Sequence, residues 1–375
     1  MMTAIKCRVY PNPMHKELFA KTFGCCRKVW NLMLDDRETA YRKDKTVLKP
    51  TPARYKKEHP YLKEVDSLAL ANVQINLEQA YKNFFTVPGT KHPKFKSKKH
   101  SRNSYTTNNQ KRTIRVDTEA GTIHLPKFTK AMGDLKAVFH RPIPENCKLK
   151  SATISMERDG TYYCSLLFEN DDTVDTVSHP EDNAIGLDYK SDGLYSDSEG
   201  NVCGSPKYYR KAQKSRTHAQ RALRHKDKNS NNWKKQQKRV AKIERHVANQ
   251  RKDFLHKQST SIIKKYDLIA VESLDMRAMS NKGFGNGKAT LDNGWGMFVK
   301  MLEYKAERTG KTVIKVDKWF PSSQLCSNCG YQNAGTKDLD VRKWICLVCG
   351  SNHDRDHNAA VNIRKEGIRL YQASA

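Results

Sequence analysis

Polar and apolar residues alternate over residues 3–10, which predicts a β-strand that Pro11 and Pro13 then end. The period changes directly afterwards. From residue 14 to about 43, apolar side chains recur at Leu18, Phe19, Phe23, Val29, Trp30, Met33 and Leu34. Over residues 68–85 they recur at Leu70, Val73, Leu77, Ala80, Tyr81 and Phe84. Both series have helical spacing and predict a small helical bundle. Beyond Pro88 the runs are short and β-like, at 113–116, 122–125, 149–156 and 162–168, the last two joined through Arg158-Asp159-Gly160. This pattern predicts a small β-barrel over residues 91–180, with the helices of 14–90 inserted after its first strand.

From Asn183 the pattern becomes α/β. Residues 184–189 read as a buried strand, 194–196 as a second leading to the turn Ser198-Glu199-Gly200, and 268–271 as a third ending in Glu272. A fourth, 312–316, follows a helix that stops at Gly310, a normal C-terminal cap. Strands separated by helices, with acids at strand ends, predict a layered α/β domain of nuclease or nucleotide-binding type.

Charge narrows the choice of partner. Among 375 residues, 69 Lys and Arg face 40 Asp and Glu, a formal charge of +29, more than solubility requires. A mean hydropathy of -0.82 is low, yet 16 Tyr, 12 Phe and 5 Trp are too many for a disordered chain. A folded protein with a polyanionic partner follows. The densest tract is 207–252, with 17 basic residues against Asp227 and Glu244, broken at Asn229-Ser230-Asn231-Asn232 into a helical hairpin. One-sided charge on this scale needs phosphates to offset its self-repulsion, and Lys234, Lys235, Lys238 and Arg239 are its candidate contacts. The N-terminal residues have no apolar core of signal-peptide length and no segment reaches 18 uncharged apolar residues, so a cytoplasmic, nucleoid-associated protein without membrane contact is expected.

Ten cysteines include two C-x-x-C pairs, Cys326/Cys329 and Cys346/Cys349, separated by sixteen residues and each followed by a glycine, Gly330 and Gly350. That is zinc-ribbon spacing. Four thiolates fill a tetrahedral shell and leave no place for water, so one structural Zn²⁺ is expected. Three carboxylates stand where phosphodiester chemistry would need them: Asp188 and Glu272 at strand ends, and Asp356 opening a helical stretch with small alanines one turn on. Hard oxygen ligands suit Mg²⁺, and two such ions can clamp the attacking and leaving oxygens of a phosphodiester.

The segments Phe320-Pro-Ser-Ser-Gln-Leu-Cys-Ser-Asn-Cys-Gly330, Trp344-Ile-Cys-Leu-Val-Cys-Gly350 and His353-Asp-Arg-Asp-His-Asn-Ala-Ala-Val-Asn-Ile363 closely resemble the signature of the TnpB (OrfB) proteins of small insertion sequences, relatives of type V CRISPR effectors. Tyr304-Lys-Ala-Glu307 and Ala80-Tyr-Lys-Asn-Phe-Phe85 also look like family motifs. The resemblance implies a multidomain α+β protein. Its RuvC-like (RNase H-like) α/β nuclease domain would occupy 181–319 and 353–375, with a zinc-ribbon module inserted at 320–352. A wedge β-barrel would occupy 1–13 and 91–180, around a helical recognition insert at 14–90. The resemblance also implies guide RNA derived from the transposon end, a double-stranded DNA target, and Asp188, Glu272 and Asp356 as the ligands of two Mg²⁺ ions. Where the family often shows Asp-x-Gly, this chain has Asp188-Tyr189-Lys190; Asp192 and Asp354 are neighbouring acids that could be mistaken for ligands.

Guided nucleases begin melting at a short motif that the protein itself reads. Asn72, Gln74 and Asn76, with amides suited to base edges, and Tyr105, Thr106 and Thr107 in the barrel are the candidate readers. Gly283-Phe284-Gly285-Asn286-Gly287-Lys288 lacks P-loop spacing and reads as a flexible loop beside Glu272, where the family can carry a lid. His353 is expected to order the turn beside the ribbon. Two alternatives remain open at this point. One is a nuclease-dead, RNA-guided transcriptional regulator, which a missing carboxylate would signal. The other is a guide-free zinc-ribbon DNA-binding protein.

Overall fold

The computed structural model describes residues 2–143, 146–170, 174–280, 287–338 and 340–374. Two units divide at Thr173/Val174. Residues 281–286, most of the glycine-rich segment, lie outside the described residues.

The first unit opens with β1 (Met2–Tyr10), whose alternation buries Ile5, Cys7 and Val9. Helix α1 (Pro13–Asp44) starts on an Asn12 cap whose side chain accepts from His15 N, with Pro13 in the first turn where no N–H is needed. It buries Phe19, Phe23, Val29, Trp30, Met33 and Leu34, the stripe expected from the sequence. Helix α2 (Ser67–Thr86) is capped by Asp66 and buries Leu70, Val73, Leu77 and Tyr81. The strands β2 (Asn103–Asn108), β3 (Arg115–Asp117), β4 (Thr122–His124), β5 (Leu135–Val138), β6 (Cys147–Met156) and β7 (Tyr162–Asn170) follow. They form one antiparallel sheet in the order β2-β6-β7-β1-β5-β4-β3.

Two features differ from what the sequence pattern predicts. Among the described residues no ladder joins β2 to β3, so the expected barrel is an open seven-stranded sheet. Strand β2 has no periodic signal, because Asn-Ser-Tyr-Thr-Thr-Asn carries no apolar alternation and buries only Tyr105 and Thr107.

The second unit contains β8 (Ala184–Tyr189), β9 (Gly193–Asp197) and β10 (Val202–Gly204), then α3 (Tyr208–Arg224) and α4 (Asn231–Lys265), the expected basic hairpin. After β11 (Leu268–Glu272) come α5 (Met276–Met279), α6 (Gly287–Asn293), α7 (Trp295–Arg308) and β12 (Thr312–Val316). The chain ends with β13 (Lys343–Ile345), β14 (Asn352–Asp354) and α8 (Arg355–Ser374). The main sheet runs β10-β9-β8-β11-β12, with β8 to β10 an antiparallel meander and β8, β11 and β12 parallel.

Alternate residues of β11 serve two cores. Ile269 and Val271 join Leu255, Trp295, Phe298 and Leu302 from α4 and α7 on one face. Leu268 and Ala270 join Val316 and Ile363 of α8 on the other. Helix α8 lies against the sheet at two glycines: a Cβ on Gly186 would fall 2.1 Å from the Ala360 carbonyl, and one on Gly367 would fall 2.4 Å from Ala270 Cβ. No described helix is long and apolar enough to cross a membrane.

Candidate nuclease site and zinc module

Parallel pairing of β8 with β11 sets Leu187 opposite Val271, so Asp188 and Glu272 follow side by side, about 4.8 Å apart at the backbone. Leu187 and Val271 face α4 and α7; side-chain alternation therefore turns Asp188 and Glu272 toward α8. Asp356 lies in the first turn of that helix. Burial, followed by the charges of Glu272 and Asp356, holds the Asp188 carboxyl well above the usual carboxylate range. Burial also raises Glu272, opposed by a hydrogen bond from Ser322. Three neighbouring carboxylates that offer oxygen and no softer donor have the donor chemistry that a hard divalent cation takes.

Internal cations already compensate part of this charge. Lys190 Nζ lies 2.5 Å from Asp356 Oδ2, and Arg342 Nη1 lies 3.5 Å from Oδ1. In the sequence Lys190 stands out only as a departure from Asp-x-Gly, Ser322 falls within the Phe320–Gly330 signature without pointing to Glu272, and Arg342 carries no signal, since nothing local ties it to the strand ends. The two neighbouring acids do other things. Asp354 Oδ1 accepts from the backbone N–H groups of Asp356 and His357, both at 3.1 Å, so it caps α8. Asp192 is largely exposed and 3.9 Å from Lys190 Nζ.

The four cysteine sulfurs all lie within 4.8 Å of one another. Cys326 and Cys349 stand 3.6 Å apart, and Cys329 and Cys346 3.5 Å. Zinc–thiolate bonds of about 2.3 Å place tetrahedral sulfurs roughly 3.8 Å apart, so the donor set fits one Zn²⁺ with little movement. Among the described residues no other group of three or more His, Cys, Asp or Glu is gathered closely enough to hold a metal. The carboxylates stand wider, with Asp356 drawn to Lys190. Gly330 and Gly350 sit at φ +79° and +70° and return their N–H groups to Cys326 O and Cys346 O, both at 2.9 Å. His353 Nε2 is 3.0 Å from Cys326 Sγ, and its ring packs 4.6 Å from Trp344.

The module is tied to α8 by amides. Asn358 donates to Leu325 O and accepts from Ser327 N, and Asn362 donates to Ser322 O and Leu325 O. These two asparagines explain the Asn-Ala-Ala-Val-Asn spacing: the alanines face the sheet and the asparagines hold the ribbon.

Lys234, Lys235, Lys238 and Arg239 are all exposed on α4. In the first unit, Asn72, Asn76, Tyr105 and Thr106 line one cleft together with Arg27 and Lys96. Gln74 is half-buried on α2 and is absent from that lining. Thr107 departs from the expectation of a base reader: it is fully buried, and its hydroxyl donates to Asp66, the cap of α2, so it cannot face a duplex. Tyr105 is mostly buried, its ring against Phe19 and Phe23. Asn72 spends one amide hydrogen on Leu68 O.

Comparisons with known proteins show the family to which the chain belongs. Residues 165–282 match the family model described as "Probable transposase", 295–363 match "Cas12f1-like, TNB domain", and 1–46 match "Helix-turn-helix domain". A Streptomyces pristinaespiralis protein named "Putative RNA-guided DNA endonuclease" is 34% identical over 97% of this chain and 89% of its own. "Putative RNA-guided DNA endonuclease InsQ" of Escherichia coli K12 is 30% identical over 83% and 77%. In fold, the chain is similar to a solved Cas12f1 protein, captured with single guide RNA and target DNA, at a TM-score of 0.54 and 11% identity, covering 97% of this chain and 98% of that one. The fold and site are those of a mixed-sheet α/β protein with a four-cysteine module. The chain belongs to the TnpB (OrfB) family.

Proposed function

We propose that this protein is an RNA-guided DNA endonuclease of an insertion sequence. It would cleave target DNA beside a short protein-read motif by Mg²⁺-dependent phosphodiester hydrolysis in a RuvC-like domain. One observation carries the reading: Asp188 and Glu272 lie side by side on parallel strands, and Asp356 is brought to them by a helix that fits only because residue 186 is glycine. The 3-2-1-4-5 strand order, an antiparallel meander extended by parallel strands, supports the RNase H-like assignment. All three carboxylates are present, which favours a cutting enzyme over a nuclease-dead regulator.

Asp188, Glu272 and Asp356 would hold two Mg²⁺ ions. Such a pair supplies charge stabilisation to the attacking and leaving oxygens. Ser322 orients Glu272, while Lys190 and Arg342 hold Asp356. The zinc module would hold one Zn²⁺ and brace α8. Residues 207–252 would bind guide RNA or the heteroduplex through phosphates, the guide being derived from the transposon end. Residues 1–13 and 91–180 form the wedge, with a recognition insert at 14–90 in which Asn72 and Asn76, beside Thr106, read the target-adjacent duplex. The test is cleavage of a plasmid library by the protein co-expressed with its flanking transposon-end RNA. Guide-dependent cutting next to one motif is expected; no cutting with any guide and Mg²⁺ would overturn the reading.

A further inference from the structure

Trp319 is 80% exposed. It sits in the turn that follows β12, on the edge of the sheet where Asp188 and Glu272 also end, because β11 and β12 pair Glu272 with Val316. Leaving an indole in water forgoes its burial.

The turn around it is held on both sides. Asp317 Oδ1 accepts from Trp319 N at 2.7 Å, and Asp317 O accepts from Phe320 N at 3.1 Å. Val316 is fully buried and Phe320 packs with it against α8. Two residues further, Ser322 hydrogen-bonds Glu272 through its side chain and accepts from Asn362 through its carbonyl. Trp319 is therefore three residues from Val316 and three from Ser322, within roughly 10 Å of each along the backbone. That distance spans about three stacked bases of a strand at 3.4 Å each. Lys318 Nζ lies 4.8 Å from the indole centroid, so the ring is displayed beside a cation.

An exposed aromatic ring next to a cation, carried on a turn whose backbone is held and one short step from a carboxylate site, is the pairing that takes an unpaired base and its phosphate. We propose that Trp319 is a stacking platform for a nucleobase of the single DNA strand entering the carboxylate edge, with Lys318 on the adjoining phosphate. The proposal rests on the nuclease reading of that edge and adds the subsite that positions the strand.

The full chain loaded with guide RNA, without added divalent metal, is titrated with a short oligothymidylate carrying one 2-aminopurine. Stacking quenches the probe in the wild type. Trp319→Phe should keep most of the quenching, and Trp319→Ala should lose it and bind about tenfold more weakly. Because the ring is exposed, the melting temperature of Trp319→Ala should match the wild type. Lys318→Gln should instead flatten the salt dependence by about one unit. Equal affinity and quenching for Trp319→Ala would overturn the proposal and leave the ring as a contact for a protein partner. Quenching of an RNA probe but not the DNA one would overturn the assignment to DNA. Normal guided cutting with no Trp319 effect defeats this subsite alone, whereas Trp319-dependent quenching without any cutting defeats the nuclease reading alone.

Discussion

Lys190 Nζ reaches Asp356 Oδ2 at 2.5 Å across 166 residues of sequence, with the two side chains only 24% and 19% exposed. The ammonium occupies the oxygen that a divalent cation would need, at the position where the family often has glycine. Lys190→Met should therefore tighten divalent binding by about fivefold, the worth of roughly 1 kcal/mol of displaced ion pair. Mn²⁺ titration followed by electron paramagnetic resonance measures this, and an unchanged affinity would make Lys190 a simple surface brace.

Loss of any one carboxylate should abolish cutting and spare DNA binding, because binding rests on cations and base pairing. Outer-sphere changes at metal sites cost about 10–100-fold, so Asp188→Ala, Glu272→Ala and Asp356→Ala should each cost more than about 100-fold in cleavage rate. Asp192→Ala should cut normally. Asp354→Ala removes a helix cap and should lower stability by about 1 kcal/mol while still cutting. Single-turnover cleavage and thermal melting separate the two classes.

Zinc should be structural and tuned by His353. Cys326→Ser or Cys349→Ser should drop zinc content from one per chain toward none and lower stability. His353→Ala removes the partner of Cys326 Sγ and should weaken zinc affinity about 10–100-fold with the four cysteines intact. Metal analysis after competition with a graded chelator reads both.

The basic hairpin should act through phosphate. Replacing Lys234, Lys235, Lys238 and Arg239 by Gln should make the slope of log affinity against log salt shallower by roughly one unit for each phosphate left without its cation. The same slope in the variant would leave α4 a solvated helix.

Motif reading should divide along the cleft. Asn76→Ala and Asn72→Ala should change the preferred flanking sequence in a randomised library, costing about 1–3 kcal/mol at the position read. Thr107→Val should instead lower stability by about 1 kcal/mol, by removing its hydrogen bond to Asp66, with the preference intact. An identical motif preference in all three variants would move the reading elsewhere.

Local periodicity and spacing determined several features without any tertiary help. The strand at 184–189 and the strand ending in Glu272 are continuous apolar runs, and the apolar stripes of α1 and α2 repeat at helical intervals. The four-cysteine module is legible because thiolate spacing is a short-range property of a knuckle. Tertiary structure decided what depends on partners far away in sequence. Polar β2 is a strand because β6 supplies its hydrogen bonds, and Thr107 is buried because Asp66 lies over it. Among the described residues no ladder joins the edge strands β2 and β3, so the sheet stays open. Along the chain Asp354 is a neighbouring acid that could be mistaken for Asp356, and the start of α8 settles their difference by using Asp354 as a cap and leaving Asp356 facing Asp188. Gly186 shows the reason most plainly: within its own strand it is an ordinary small residue, and only the approach of Ala360 from the last helix excludes every side chain there.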